Sequence, residues 1–546
     1  MKIYLSKLNI NLVSLIYVLL LLTIFSSCEN KNTNTDPENL TKLSINILGT
    51  EEIGEDNQVD KLAKVDIKEN HSINKPHIEE FEGFDAIVSL KNDNYKTPGS
   101  NLVKNVQVKK GLASIKATSM DQGKQFRMLI YKTDGSLYAN QLAFAGTALT
   151  IDVVKGETYR WVAYSYNEDE SVVLPDISDP GNPAISTGEG YDVLYASDNI
   201  TIANSGNTPL GIVFKHVLNR IGVELNTIGM FADLISARIS FPGNYFSKGT
   251  LNLNDGTVSA EEPYSSSPTS SEFVQAPGYN YGDRNVAYFY TANTNIINPF
   301  QVNLDSLTIL LDDFSYRTFS TTSSFNVAFG IPESSLGKSR TVKIDLIESP
   351  LTIAGIRWGR ANLYYQGGHN PYRFHHTYAH KSQRNSYFAF KAHLPESFSL
   401  RNQNIDPCGL VYPEGVWRHA TSSDFSILVP RARTFNSSAG LGYVEYAASG
   451  TASPYPSNNL RINFNGQGLA IDLLNLVGLN FGTTYGVSAH IWSNTEGSSV
   501  LISLGGWYYY GNSIASSVNL QLLNVSLLGG LNVIQTPFKN IRCVRN

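Results

Sequence analysis

The chain has 546 residues, of which 16% are charged, 42% hydrophobic and 11% aromatic, and its formal net charge is −5. That balance leaves no basic footprint for nucleic acid, and the length points to about three domains, each able to bury a core of its own. With three cysteines in the whole chain, a disulfide-dense scaffold is excluded.

Residues 1–27 read as an export signal. Lys2 and Lys7 supply the positive start, and residues 12–25 (LVSLIYVLLLLTIF) form an apolar run too short to span a bilayer. Ser26 and Ser27 lead directly into Cys28. The arrangement resembles the lipobox of bacterial lipoproteins, with Phe25 where the usual box has Leu. The resemblance implies acylation at Cys28, a new N-terminus there, and a firm multi-chain membrane anchor. The next segment, 28–39 (CENKNTNTDPEN), is polar and Asn-rich and is expected to act as a flexible tether.

Beyond the tether, short alternating segments predict strands: 43–48 (LSINIL), 106–108, 126–131 (FRMLIY), 158–166 (TYRWVAYSY), 342–347 (VKIDLI) and 519–527. Turn dipeptides such as Asp134-Gly135, Pro242-Gly243 and Asp255-Gly256 separate such runs. Residues 50–80 are charged and mixed in sign, reading as a long loop or a segment that folds against a partner, and 261–277 reads as a loop. Trp161, Ala163 and Ser165 alternate with Val162, Tyr164 and Tyr166, bulky on both faces, as in a covered central strand. Residues 210–226 admit a helical reading, but Gly222 and the β-branched residues favour two strands, at 212–214 and 221–225. His216, inside this run, reads as structural. The expected divisions are 40–209, 210–349 and 350–546.

Several of these segments resemble the fimbrillin family: 126–138 (FRMLIYKTDGSLY), 156–167 (GETYRWVAYSYN), 192–196 (DVLYA) and 213–225 (VFKHVLNRIGVEL). The family comprises surface lipoproteins that build, anchor or tip protease-matured pili. The resemblance covers about residues 40–350. It implies a mainly β chain with two tandem transthyretin-like Greek-key sandwiches, and other pilus subunits as partners through strand donation. Its polymerising members are cut by an arginine-specific protease near the start, whereas the first arginine here is Arg127, well inside the first domain. The third region carries 356–365 (IRWGRANLYY), 372–374 (YRF), 406–425 (DPCGLVYPEGVWRHATSSDF), 490–493 (HIWS) and 541–546 (IRCVRN). It is similar to a C-terminal α+β module of C-type-lectin-like arrangement, which implies a Cys408–Cys543 disulfide.

No constellation advertises an enzyme, a metal or a cofactor. His369, His375, His376 and His380 crowd together, but Gly367-Gly368 and Pro371 mark a loop with solvated histidines. Asp424 and Glu414 read as a cap and a turn residue around a helix starting near Ser422. Gly505-Gly506 and Gly529-Gly530 are turns, with no Lys-Ser/Thr following as in a phosphate loop. The Glu-Pro-Asn triplet of calcium-dependent lectins is absent. Trp507, Tyr508, Tyr509 and Tyr510 present two readings, a sugar- or protein-binding patch and alternating core aromatics. Asp305-Ser306-Leu307 fits an O-glycosylation triplet or a plain strand.

The leading expectation is an outer-membrane lipoprotein exposed at the cell surface. It would be an accessory or tip pilus subunit adhering to a glycan or a surface protein through residues 350–546. The alternative is a glycan-capturing lipoprotein of a nutrient uptake system.

Overall fold

The computed structural model describes residues 40–51, 78–81, 83–92, 106–110, 113–203, 206–266, 272–295, 298–327, 336–376, 384–395, 405–436, 441–449, 457–471, 479–480, 484–497, 506–522 and 535–546. The expected signal, the lipidation residue Cys28 and the tether lie outside these residues. So do His380, Gly505, Gly529 and Gly530. The fold is mainly β, with one α-helix among the described residues.

The first unit is built around its leading strand, Leu40–Glu51. This strand runs parallel to Asn207–His216 and antiparallel to Leu149–Val154. From Asn207–His216 the sheet continues through Leu194–Thr201, Thr158–Ser165 and Gln125–Tyr131 to Leu137–Phe144. Leu43 and Ile45 meet Phe126, Met128, Trp161, Ile212 and Phe214 in the core. The expected division at 209/210 therefore falls inside the strand Asn207–His216, and the chain leaves the first unit at Val217-Leu218. The reason is the parallel pairing with Leu40–Glu51, a contact over more than 150 residues that local pattern does not encode.

Thr158–Ser165 is covered on both sides. Trp161 and Ala163 face the first core. Val162 and Tyr164 face a second cluster with Tyr195, Leu251 and Leu253, contributed in part by the next unit. Asp134-Gly135 and Asp255-Gly256 each close a hairpin, whereas Pro242-Gly243 links Ala232–Ser240 to Phe246–Asn252, strands of different sheets. Gly135 (φ 84°) and Gly256 (φ 75°) take left-handed conformations that a β-carbon disfavours.

The second unit stacks a six-stranded sheet on a four-stranded one. The larger sheet runs Val274–Gln275, Arg284–Thr291, Asn219–Gly229, Ser339–Glu348, Phe84–Asn92, Ile78–Glu80. The smaller contains Ala232–Ser240, Phe300–Leu311, Tyr316–Phe319 and Ser323–Val327. Val223, Leu225, Val342 and Ile344 pack against Ile239, Phe300, Leu304 and Ile309. Phe84–Asn92 precedes most of the first unit in sequence, yet Phe84, Ala86 and Val88 belong to this second core. The 50–80 segment thus ends in an edge strand, Ile78–Glu80, paired with Phe84–Asn92. The expected loop at 261–277 begins as strand, since Val258–Tyr264 pairs with Phe246–Asn252.

Among the described residues the third unit holds several small sheets and the helix Ser422–Leu428. Thr421 caps the helix and Asp424 returns the bond to the cap, closing a capping box. Its last strand, Cys543–Arg545, lies between Ile356–Trp358 and Trp417–His419. Phe231, on a tight turn of the second unit with φ 57°, inserts into the third unit against Phe374, ring centroids 5.3 Å apart. Burial of a Phe side chain, worth roughly 1.5–3 kcal/mol, offsets the cost of that backbone conformation.

Candidate functional site

The strand Gly506–Asn512 pairs with Ser488–Glu496 and Ser517–Leu522, so its four aromatics divide between two faces. Tyr509 points into the main core, its hydroxyl 3.0 Å from that of Tyr446, and is fully buried. Tyr508 is buried on the opposite face. Trp507 and Tyr510 are half-buried. The four residues therefore do not form one exposed patch, because period-two alternation in a covered strand sends neighbours to opposite cores. Trp507 and Tyr510 alone retain a ligand-facing possibility.

The face carrying Tyr508 encloses a lysine. Lys539 is almost completely buried, bonded to Gln467, with its ammonium 4.2 Å from the Tyr508 ring centroid and 4.9 Å from that of Trp492. Burial pushes its pKa down to about 7. His490 stacks on Tyr508 and bonds to Ser488 Oγ at 2.8 Å, and burial with the nearby Lys539 charge holds its imidazole neutral. Nothing in the sequence marks Lys539, which follows a Pro-Phe pair near the chain end.

Cys408 and Cys543 form the disulfide that the lectin-like resemblance implied, Cα atoms 5.6 Å apart. It ties the last strand to the loop before Trp417. Two residues on, Arg545 donates to the carboxylate of Asp85 and the carbonyl of Glu348. Asp85 sits on Phe84–Asn92, so the end of the chain is bolted to the second unit. Desolvation raises the Asp85 carboxyl to about 6, outweighing the attraction of Arg545. Glu348 is itself held by Arg317 at 2.9 Å and Arg360 at 3.4 Å.

Further along the same seam, Tyr412 of the third unit donates to Asp345 Oδ1 at 2.8 Å and receives Lys343 and Asn226. His369 Nε2 lies 2.7 Å from Asp283 Oδ2 and 2.8 Å from the Tyr279 hydroxyl. Arg373 pairs with Asp312 at 2.6 Å. Of the histidine run, His369 lies in the expected loop between Leu363–Tyr365 and Tyr372–Phe374 and is held by Asp283 and Tyr279. His375 is buried, stacked on Tyr364 and bonded to Ser386, because the segment lies against the second unit. Among the described residues no three His, Cys, Asp or Glu side chains gather as a metal site.

The remaining expectations are structural. His216 pairs with Asp192 at 2.8 Å, as a structural histidine does. Asp424 is the capping-box residue and also pairs with Arg418. Glu414 lies in the turn before Trp417. Arg127 sits in the strand Gln125–Tyr131, paired with Asp176 at 3.1 Å, where chain cleavage would open the first core. Ser306 lies on the outer side of Phe300–Leu311, where the pairing with Ala232–Ser240 shifts register. No helix among the described residues is long and apolar enough to cross a membrane.

No family model and no curated relative matches the chain. Among solved structures, a candidate cell adhesion protein of Bacteroides fragilis aligns with 56% of this chain and 98% of its own, at 12% identity and TM-score 0.26. The fimbrial anchor protein Mfa2 of Porphyromonas gingivalis aligns over 44% and 91%, at 11% identity and TM-score 0.22. A fimbrial assembly protein of Parabacteroides distasonis aligns over 40% and 82%, at 9% identity and TM-score 0.22. At these scores the likenesses carry no argument about this chain.

Proposed function

We propose that this chain is a lipid-anchored, fimbrillin-like accessory or tip subunit of a pilus, exposed on the outer membrane and adhering through its C-terminal part. The observation that carries the reading is the locked chain end. Cys543–Arg545 is a central strand held by a disulfide and by Arg545 on Asp85. A strand held this way is not available to be given to a neighbour, as shaft assembly by strand addition requires of a donated strand. The fimbrillin-type motifs support the family, and Cys28 after its apolar run supports the anchor.

The test is fractionation of the native organism, with intact mass of the recovered protein. The expected result is a chain beginning at acylated Cys28, uncut at Arg127, that co-purifies with sheared pili. Recovery in the outer membrane with none in the pilus fraction would overturn the pilus role and favour glycan capture.

A further inference from the structure

Where the second unit meets the third, three aromatic side chains stand in solvent: Tyr281 is 47% exposed, Tyr316 66% and Phe314 82%. The Tyr281 ring and the turn carrying Phe314 are fixed. Tyr281 lies flat on His369, ring centroids 3.8 Å apart and planes 8° apart, and His369 is fixed by Asp283 and Tyr279. Phe314 has φ 63°, a conformation that strongly disfavours a bulky residue. Its turn is pinned by Asp313 Oδ1, which accepts from Ser315 N at 3.1 Å and Ser315 Oγ at 2.6 Å.

Between the aromatics lies Asp233. Register places Asp233 opposite Leu310 and Leu310 opposite Tyr316. The three side chains therefore share the outer face, with Asp233 and Tyr316 about 10 Å apart at two strand spacings. On its other side Asp233 abuts Gly282, the residue following Tyr281. The charged groups facing it are Asp283, Asp312, Arg373 and His369. Beside it Arg373 pairs with Asp312 at 2.6 Å, its other donors taken by the carbonyls of Asn370 and His369, while Asp312 also accepts from Tyr364.

We infer that this seam binds a neutral oligosaccharide, with pyranose rings stacked on Tyr281, Phe314 and Tyr316, and hydroxyls held by the exposed carboxylate of Asp233. The inference rests on the adhesive reading above and moves its contact surface away from the strand Gly506–Asn512. Exposed aromatic faces, for Tyr281 the one away from His369, suit the C–H face of a sugar. The exposed Asp233 carboxylate between them can accept from vicinal hydroxyls, and charge-assisted hydrogen bonds are the stronger kind. The carboxylates repel uronic, sialylated or sulfated sugars. A protein partner fits less well, since the centre of a protein interface is depleted of charge, whereas here carboxylates separate the aromatics.

The test is a printed array of neutral, sialylated and sulfated oligosaccharides, read with the chain from residue 28 onward. Its variants are Tyr316→Ala, Phe314→Gly and Asp233→Asn, with Trp507→Ala as the comparison. All three seam positions are exposed, and Phe314→Gly relaxes the turn, so each variant is expected to fold with an unchanged circular dichroism spectrum. The expected result is binding confined to neutral glycans, weakened tenfold or more by each seam variant and unaffected by Trp507→Ala. Binding to no glycan, binding to the anionic ones, or full retention in the seam variants would overturn the seam site. Loss in Trp507→Ala alone would overturn the seam while supporting adhesion by the third unit. Seam-dependent binding in a protein absent from pili would uphold the site and remove the pilus role.

Discussion

At the scale of single residues, Lys539 is the sharpest departure from what sequence suggests. An ammonium group without a carboxylate partner is expensive to bury, and here only Gln467 and two aromatic rings face it among the described contacts. Its pKa is depressed from 10.5 to about 7. The folded state therefore holds fewer protons than the unfolded chain between pH 7 and 10.5, and stability rises with pH across that window. Lys539→Met keeps the volume and removes the charge. Its expected effect is stabilisation on the order of 2 kcal/mol at pH 7, shrinking as pH approaches 10. Thermal unfolding of both proteins at pH 7, 8.5 and 10 measures this. A variant less stable at every pH would show that the Gln467 and aromatic contacts outweigh desolvation.

At the scale of elements, the last strand is held twice, once covalently and once by charge. The disulfide closes a loop with a sequence separation of 135, for which chain entropy sets a ceiling of roughly 5 kcal/mol. Cys408→Ala with Cys543→Ala is expected to lower stability by about 2–5 kcal/mol and to expose the segment around Trp417 to protease first. Denaturant unfolding together with mapping of early proteolytic cuts measures both. Equal stability with and without the bond would mean that Arg545 on Asp85 suffices.

Elements defined by local alternation were legible in the sequence. Residues 158–166 read as a covered central strand because bulky side chains on both faces need two cores, and the structure supplies two. The helix start at Ser422 was legible from its capping chemistry. The pairing of the strand Phe84–Asn92 with the second unit was not legible, because its partner Ser339–Glu348 lies about 250 residues away. The seam was invisible for a related reason. Arg317, Arg360, Arg373 and Arg545 are isolated in sequence, and only folding brings them to Glu348, Asp312 and Asp85.

At the scale of the whole molecule, the chain is threaded between units rather than strung as beads. It starts in the first sheet with Leu40–Glu51, crosses to the second with Ile78–Glu80 and Phe84–Asn92, and returns with Val106–Lys110 and Ala113–Thr118. A fragment of residues 217–349 lacks Phe84 and Val88 from its core and leaves Ser339–Glu348 as a long unpaired edge. Loss of one large core side chain costs about 3–5 kcal/mol, against a total domain stability of about 5–15 kcal/mol, and an open apolar edge invites aggregation. The fragment alone is expected to aggregate, and the same fragment with residues 78–92 fused through a flexible linker is expected to fold. Sedimentation and circular dichroism distinguish the two. If 217–349 folds unaided, the crossing strand adds no essential core. If only the fusion folds, the first two units depend on one chain crossing. The locked C-terminal strand then joins the third unit to that same crossing through Arg545 and Asp85. Pull applied to the third unit would thus reach the second along Phe84–Asn92 as well as through the covalent chain.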